Sequence, residues 1–105
     1  MALFVAGPVA VQQWEQLSGR LVMLPCIQNP VEPVTWTFRS SSDSVVEDVE
    51  YLEGFHVQNS SLVIHSVEAG DSGLYNCSDA AGALHTIQLT VIGKVCELLL
   101  YSKFL

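Results

Sequence analysis

The stretch from Asp71 to Cys77, which reads Asp-Ser-Gly-Leu-Tyr-Asn-Cys, limits the folds open to this chain more than any other. Because side chains alternate between the two faces of a strand, Tyr75 and Cys77 point to the same side of it. A second cysteine, Cys26, ends an upstream apolar run, and Trp36 follows ten residues later. These side chains can share one core between two packed sheets.

Alternation of apolar and polar residues with a period of two recurs along the chain, and no segment of helical length has a clear 3.6-residue apolar stripe. The clearest case is 34–39, where Val34, Trp36 and Phe38 alternate with polar residues. We therefore predict an all-β fold, with strands at 9–14, 20–26, 34–39, 55–57, 61–67, 71–77 and 85–91.

Composition and charge restrict the class of protein. A chain of 105 residues, 50% of them hydrophobic, is long enough for one domain with a core. Four basic and eleven acidic residues give a formal net charge of -7. Because this charge repels phosphate backbones and anionic lipid surfaces, we do not expect nucleic acid as a partner. The apolar tail 96–105 is far shorter than the roughly 20 residues of a membrane-spanning helix, so we expect no membrane insertion of this segment.

The three cysteines, Cys26, Cys77 and Cys96, lack the Cys-x-x-Cys spacing of zinc and redox sites. A long-range disulfide with one remaining thiol is the simpler interpretation, and it implies an oxidising compartment. We assign 1–94 to the domain and 95–105 to an apolar extension or linker that packs on the domain or pairs with another chain. Cys96 is then an interchain disulfide, an inert thiol, or the partner of a cysteine outside this sequence.

Five acidic residues are interleaved with apolar ones between Asp43 and Glu53. Their spacing does not match a calcium-binding EF-hand loop. We interpret the segment as a solvated edge strand whose charges discourage pairing with other sheets, with a face for a basic protein partner as the alternative.

Further expectations for two segments concern which side chains face outward. In 61–67, Leu62 and Ile64 should face the core, whereas Val63 and His65 should face solvent. Leu21 and Met23 lie on the outer face of their strand; the amino-terminal segment covers them, or they form an apolar surface.

No pattern in the sequence indicates catalysis. His56, His65 and His85 fall on different predicted strands, and no nucleophile turn, phosphate loop or zinc motif occurs. We predict a non-enzyme without cofactor or metal. Asn59 and Asn76 each begin an Asn-x-Ser sequon and are candidate glycosylation sites.

The combination Asp-x-Gly-x-Tyr-x-Cys with an upstream Cys and Trp resembles the immunoglobulin superfamily, over roughly residues 8 to 92. The resemblance implies a two-sheet Greek-key sandwich with one inter-sheet disulfide, Cys26–Cys77, and with Trp36 packed on that bond. It also implies that the Tyr75 hydroxyl returns to the backbone near Asp71.

The spacing of the two cysteines is similar to that of I-set domains, and a V-like adhesion domain is the alternative. Because no Gly-x-Gly occurs between Leu84 and Val91, the resemblance does not extend to antigen-receptor variable domains. It implies a disulfide-bonded glycoprotein module that binds proteins.

We therefore expect an extracellular or cell-surface module in an adhesion molecule or receptor ectodomain, a receptor kinase included. Its partner would be homophilic, as in a homodimer, or heterophilic. A secreted immune-type binder and an intracellular structural I-set module are the alternatives. The candidate binding face comprises Thr35, Thr37, Arg39, Thr86 and Gln88.

Overall fold

A computed structural model of the chain describes residues 11–41 and 45–93, which form two facing β-sheets. The strands are β1 (Val11–Leu17), β2 (Val22–Leu24), β3 (Thr35–Ser40), β4 (Val46–Asp48), β5 (Phe55–Gln58), β6 (Ser61–Ile64), β7 (Gly73–Ser78) and β8 (Leu84–Ile92). Short 3₁₀ turns lie at Val49–Tyr51 and Ala69–Asp71. The all-β sandwich expected from the sequence is confirmed.

The two sheets differ in width. One has five strands in the order β1-β8-β7-β3-β4, and the other has three in the order β2-β6-β5. All pairings are antiparallel except that of β1 with β8, which runs in parallel from Val11↔Thr86 to Leu17↔Ile92. Strand β1 thus belongs to the larger sheet.

The core lies between the sheets and is built from the inward positions of both. The Cys26–Cys77 disulfide joins the chain just after β2 to β7, which confirms the inter-sheet bond. Trp36 is almost fully buried, and its indole Nε1–H donates a hydrogen bond to the carbonyl oxygen of Ser60, 2.9 Å away. Because Ser60 lies in the β5–β6 turn, this bond also ties one sheet to the other.

Three aromatic rings fill the other part of the core. Tyr75 stacks on Phe38 with ring centroids 4.6 Å apart, and Phe55 from the smaller sheet lies 6.3 Å from each of them. Offset contacts of this kind add to the free energy gained by burying the rings.

Gly73 allows β7 to start close to β3. A Cβ atom built on Gly73 would lie 2.1 Å from the backbone oxygen of Arg39, and its φ of 154° is rarely adopted by other residues. Since a backbone atom cannot move aside as a side-chain tip can, this position requires glycine. The glycine of the 71–77 stretch is explained by this contact.

Val63 departs from expectation. It lies on the outer face of the smaller sheet, yet only 3% of its surface is exposed. Strand β6 is central, and Val63 is in register with Met23 on one side and His56 on the other. Neighbours on both sides of a central strand shield a small side chain, so the prediction that Val63 faces solvent was wrong.

The outer apolar residues of β2 remain accessible. Leu21, which precedes β2, is 54% and Met23 49% exposed; residues 1–10, which the other interpretation places over them, lie outside the described residues. Strand lengths also differ from expectation: β1 continues to Leu17, and the regular part of β2 covers only Val22–Leu24. Within residues 11–41 and 45–93, no helix is long and apolar enough to cross a membrane.

Candidate interface on the five-stranded sheet

The outer face of the five-stranded sheet carries side chains in rows that cross the strands. Residues paired in register share a face, so the pairings define each row. The first, which we name the central row, crosses all five strands through Gln13, Gln88, Leu74, Arg39 and Val46. The row therefore has two glutamines at one side, followed by an apolar side chain on each side of the Arg39 guanidinium.

A second row lies beside the central row, and two of its side chains are hydrogen-bonded to each other. It runs through Val11, Thr86, Asn76, Thr37 and Asp48. The Thr86 hydroxyl donates to the Asn76 side-chain oxygen at 2.6 Å, and Thr86 is only 8% exposed. Thr86 thus lies on the predicted face but presents almost no surface to a partner.

The other predicted contact residues differ in accessibility. Thr35 and Arg39 are exposed, whereas Thr37 and Gln88 are half-buried. All four lie on the outer face of β3 or β8. The structure therefore groups them on one surface.

Two apolar residues of this surface were missed by the sequence reasoning. Val46 is 59% exposed beside Arg39, and Leu74 is half-buried on the other side of Arg39. The alternation that turns Tyr75 inward turns Leu74 outward, and this signal was available in the sequence. The position of Val46 beside Arg39 could be predicted only by knowing that β3 pairs with β4.

The acidic segment forms the rim of this surface. Strand β4 lies at the edge of the five-stranded sheet, as predicted, and the 3₁₀ turn follows it. The Asp48 carboxylate accepts a hydrogen bond from the backbone amide of Glu50 at 3.0 Å and so begins that turn. Glu47 and Glu50 are exposed, which gives the rim a negative charge.

Asp79 organises the loop between β7 and β8. Its carboxylate accepts hydrogen bonds from the backbone amides of Val31, Ala81 and Ala83 at 2.9–3.0 Å. These bonds, that from Val31 foremost, hold the pKa of Asp79 below its usual value. The loop before β3 and the β7–β8 loop are thereby tied together at one end of the sandwich, a role that sequence reasoning missed.

Tyr75 and Asp71 fix the opposite end of β7. The Tyr75 hydroxyl donates to the backbone oxygen of Asp71 at 2.5 Å, the contact that the resemblance implied. The Asp71 carboxylate accepts from the backbone amide of Glu68 at 2.8 Å. Burial raises the pKa of both Tyr75 and Asp71, because it disfavours the charged form of each.

The two sequons occupy different settings. Asn59 is exposed at the tip of the β5–β6 turn, where Asn59 and Ser60 both have positive φ. Asn76 lies within β7 and is half-buried, with its side-chain oxygen bonded to Thr86. Only Asn59 stands clear of the sheet.

The sequence analysis placed the three histidines on different strands, but two of them lie next to each other in the structure. His56 on β5 and His65 just after β6 approach with Nδ1 and Nε2 2.9 Å apart, whereas His85 on β8 has its Nε2 3.3 Å from the Gln12 side-chain oxygen. No group of three or more His, Cys, Asp or Glu side chains that could hold a metal ion occurs in the described residues. Cys96 and the apolar extension lie outside those residues.

Comparison with known proteins supplies one relative in sequence. No protein-family model matches the chain. A stretch of 96 residues is 35% identical to human Protein turtle homolog A, and it covers 86% of this chain. The chain spans only 8% of the length of that protein.

Solved structures with the same fold include the following two. Drosophila Semaphorin 2a superposes with a TM-score of 0.68 at 24% identity, over 81% of this chain and 15% of that one. The extracellular domain of the voltage-gated sodium channel beta4 subunit has a TM-score of 0.63 at 17% identity, over 98% of this chain and 100% of that one.

Proposed function

The chain belongs to the immunoglobulin superfamily, and we propose that it recognises a protein partner at a cell surface through the outer face of its five-stranded sheet. The observation that carries this proposal is the central row, in which Leu74 and Val46 flank Arg39 on an open face. Protein interfaces combine an apolar centre with arginine and a polar rim.

The shape of the surface favours a macromolecule over a small ligand. Five paired strands give a broad face on which each row is held by backbone hydrogen bonding. Small molecules are bound in concave pockets, whereas a partner protein fits a broad, ordered surface. Gln13 and Gln88 supply polar groups at one side of the row, and the acidic rim lies at the other.

Charge indicates the chemistry of the partner. The net charge of -7 and the exposed Glu50 at the β4 edge favour a partner that places basic groups around an apolar contact. Two identical copies would repel each other at long range, more strongly at low salt. A homophilic contact therefore requires good packing at Leu74 and Val46.

The relatives support recognition in adhesion. The solved beta4 structures are described as parallel homodimers that explain a role in cell-cell adhesion. Turtle homolog A is far longer than this chain, so a tethered ectodomain with further domains is consistent with the match. The names of these matched proteins give no support to a receptor kinase, and a kinase ectodomain is not carried forward.

A matched pair of leucines tests the proposed face. Sedimentation velocity at micromolar concentration measures self-association, and a binding screen against cell-surface ectodomains identifies heterophilic partners. Leu74→Arg should weaken the association found by about tenfold or more, because it places an unpaired charge at the centre of the contact.

Leu21→Arg is the control, because it makes the same change on the smaller sheet, where Leu21 is 54% exposed. Circular dichroism should show that both variants fold. Loss of binding in Leu21→Arg with binding retained in Leu74→Arg would place the interface on the other sheet and refute the proposal.

The disulfide supports an extracellular location over an intracellular structural module. Disulfides persist in oxidising compartments and are rare in the cytosol. Protein recovered from secreting cells should therefore have Cys26 and Cys77 bonded, which mass spectrometry with and without reductant measures. A fully reduced chain in its native compartment would favour the intracellular alternative.

We further propose that Asn59 is the glycosylated sequon and that Asn76 is not. A glycan at Asn59 would project from the β5–β6 turn, away from the central row. Asn76 shares its row with Thr37 and is engaged by Thr86, so a glycan there would cover the proposed interface. Glycosidase treatment of Asn59→Gln and Asn76→Gln proteins should show that only the first substitution removes the mass shift.

A further inference from the structure

Two imidazoles meet on the outer face of the three-stranded sheet, away from the proposed interface. Nδ1 of His56 and Nε2 of His65 are 2.9 Å apart, and the ring centroids are 4.8 Å apart with an interplanar angle of 31°. Both residues are exposed. Neither contributes to the core, so the pair is open to a ligand from solvent.

The backbone fixes the separation of the two side chains. The turn at Asn59 and Ser60 sets the β5–β6 register, which places His56 opposite Val63, two residues before His65. The His65 amide also donates to the Gly54 carbonyl oxygen at 3.1 Å, which holds the end of the ladder. The imidazoles therefore approach each other without any reordering of the chain.

We propose that this histidine pair is a two-ligand site for a divalent transition metal ion such as Zn²⁺ or Ni²⁺. Metal–imidazole bonds are about 2.0–2.1 Å long, so two nitrogens at adjacent positions of an octahedral ion lie about 2.9 Å apart. The observed separation of 2.9 Å matches that arrangement. A tetrahedral ion needs about 3.4 Å, which a small rotation of the exposed rings supplies.

The ion takes the place of the proton that joins the two rings. In the pair as it stands, one nitrogen donates and the other accepts a hydrogen bond. Metal binding needs a lone pair on both facing nitrogens, so each ring carries its proton on the nitrogen that points away. Water fills the remaining coordination positions, since no third His, Cys, Asp or Glu of the described residues joins the pair.

Charge and ligand type decide which cations bind. The net charge of -7 attracts cations in general, but two neutral imidazoles select borderline ions over hard ones. Ca²⁺ and Mg²⁺ prefer oxygen ligands, so they should not compete. The site is independent of the proposed protein interface, because it lies on the other sheet.

The test is a titration of the folded chain with Zn²⁺ and with Ni²⁺, in a Cys96→Ser background that removes the remaining thiol as a ligand. Calorimetry should show one saturable site per chain. His56→Gln and His65→Gln should each weaken binding by about tenfold or more, because a single imidazole remains. Ni²⁺ should also broaden the NMR signals of residues around 56 and 65.

His85→Gln is the matched control, since His85 lies on the other sheet with Gln12 as its neighbour. It should leave the affinity unchanged, and circular dichroism should show that all three variants fold. Absence of saturable binding, or retention of full affinity in either His56→Gln or His65→Gln, would overturn the proposal. An equal loss in His85→Gln would overturn it as well.

Discussion

The two sheets of this domain are ordered in different ways. The five-stranded sheet contains long strands, up to the nine residues of β8, and its rows are continuous from β1 to β4. The three-stranded sheet has strands of three or four residues and exposes Leu21 and Met23. Two of its three strands are edges.

The smaller sheet depends on the larger one. Short three-stranded sheets need a packed face for stability, and here three links cross the sandwich: the Cys26–Cys77 bond, the hydrogen bond from Trp36 to Ser60, and the contact of Phe55 with Tyr75. We therefore infer that the five-stranded sheet is ordered by its own strand pairings, whereas the three-stranded sheet depends on these links. Variants that cut a link should therefore loosen β2, β5 and β6 first.

Removal of the disulfide should have the largest effect. Changing both Cys26 and Cys77 to alanine releases a loop of 51 residues, which lowers the free energy of unfolding by about 4 kcal/mol. Hydrogen exchange should increase more in β2, β5 and β6 than in β7 and β8. Equal exchange in both sheets would refute the dependence of one on the other.

Gly73→Ala should disrupt the larger sheet itself. The added Cβ would collide with the Arg39 backbone oxygen, so we expect a loss of about 3 kcal/mol or more by chemical denaturation. Gly70→Ala, in the same corner with open space around it, should change stability by about 0.5 kcal/mol or less. Similar losses in both variants would contradict the close approach of β7 to β3.

Trp36→Phe cuts the hydrogen bond to Ser60 while keeping an aromatic ring in the core. The lost hydrogen-bond donor and the smaller ring should together lower the free energy of unfolding by about 2 kcal/mol. Exchange should rise around the β5–β6 turn, where the freed Ser60 oxygen lies. Trp14→Phe, at a half-buried residue of β1, is the matched control and should leave that turn protected.

Tyr75→Phe removes a local hydrogen bond, from the Tyr75 hydroxyl to the Asp71 backbone oxygen, that does not link the two sheets. The Asp71 backbone oxygen then loses its hydrogen-bond donor, so we expect the free energy of unfolding, measured by chemical denaturation, to fall by about 1 kcal/mol. Because the ring and its stacking are kept, β5 and β6 should keep their protection. Increased exchange throughout the small sheet would show that the hydroxyl, and not the ring, links the two sheets.

The smallest expected effect is the acid response of Asp79. Because its folded pKa is lowered, its contribution is present above the usual value of 3.8 and is lost as pH falls through the folded value. Asp79→Asn should therefore flatten the decline of the free energy of unfolding below that pH, which chemical denaturation at a series of pH values measures. A raised pKa at Asp71 acts in the opposite direction, since protonation there favours the folded state.

The fold was predictable because it depends on residue types and on their spacing along the chain. The period-two face shared by Tyr75 and Cys77, together with the upstream Cys26 and Trp36, identified the sandwich and its covalent bond. The length of the chain between the cysteines favours an I-set layout, which stays a prediction. Each of these follows from spacing along the chain.

The surfaces were predicted less well because they depend on register between strands. The burial of Val63 depends on Met23 and His56, which belong to neighbouring strands. The central row needs four strand pairings, and the pairing of β3 with β4 places Val46 beside Arg39. Likewise, the meeting of His56 and His65 is set by the turn between their strands, which spacing alone does not determine.

The parallel pairing of β1 with β8 has a mechanical consequence. The chain enters this ladder at Val11 and leaves it at Ile92, at opposite ends of seven paired positions. A force that pulls those two points apart slides the strands along each other, so all hydrogen bonds of the ladder bear the load together. A module built this way should resist tension along its chain until the whole ladder shears.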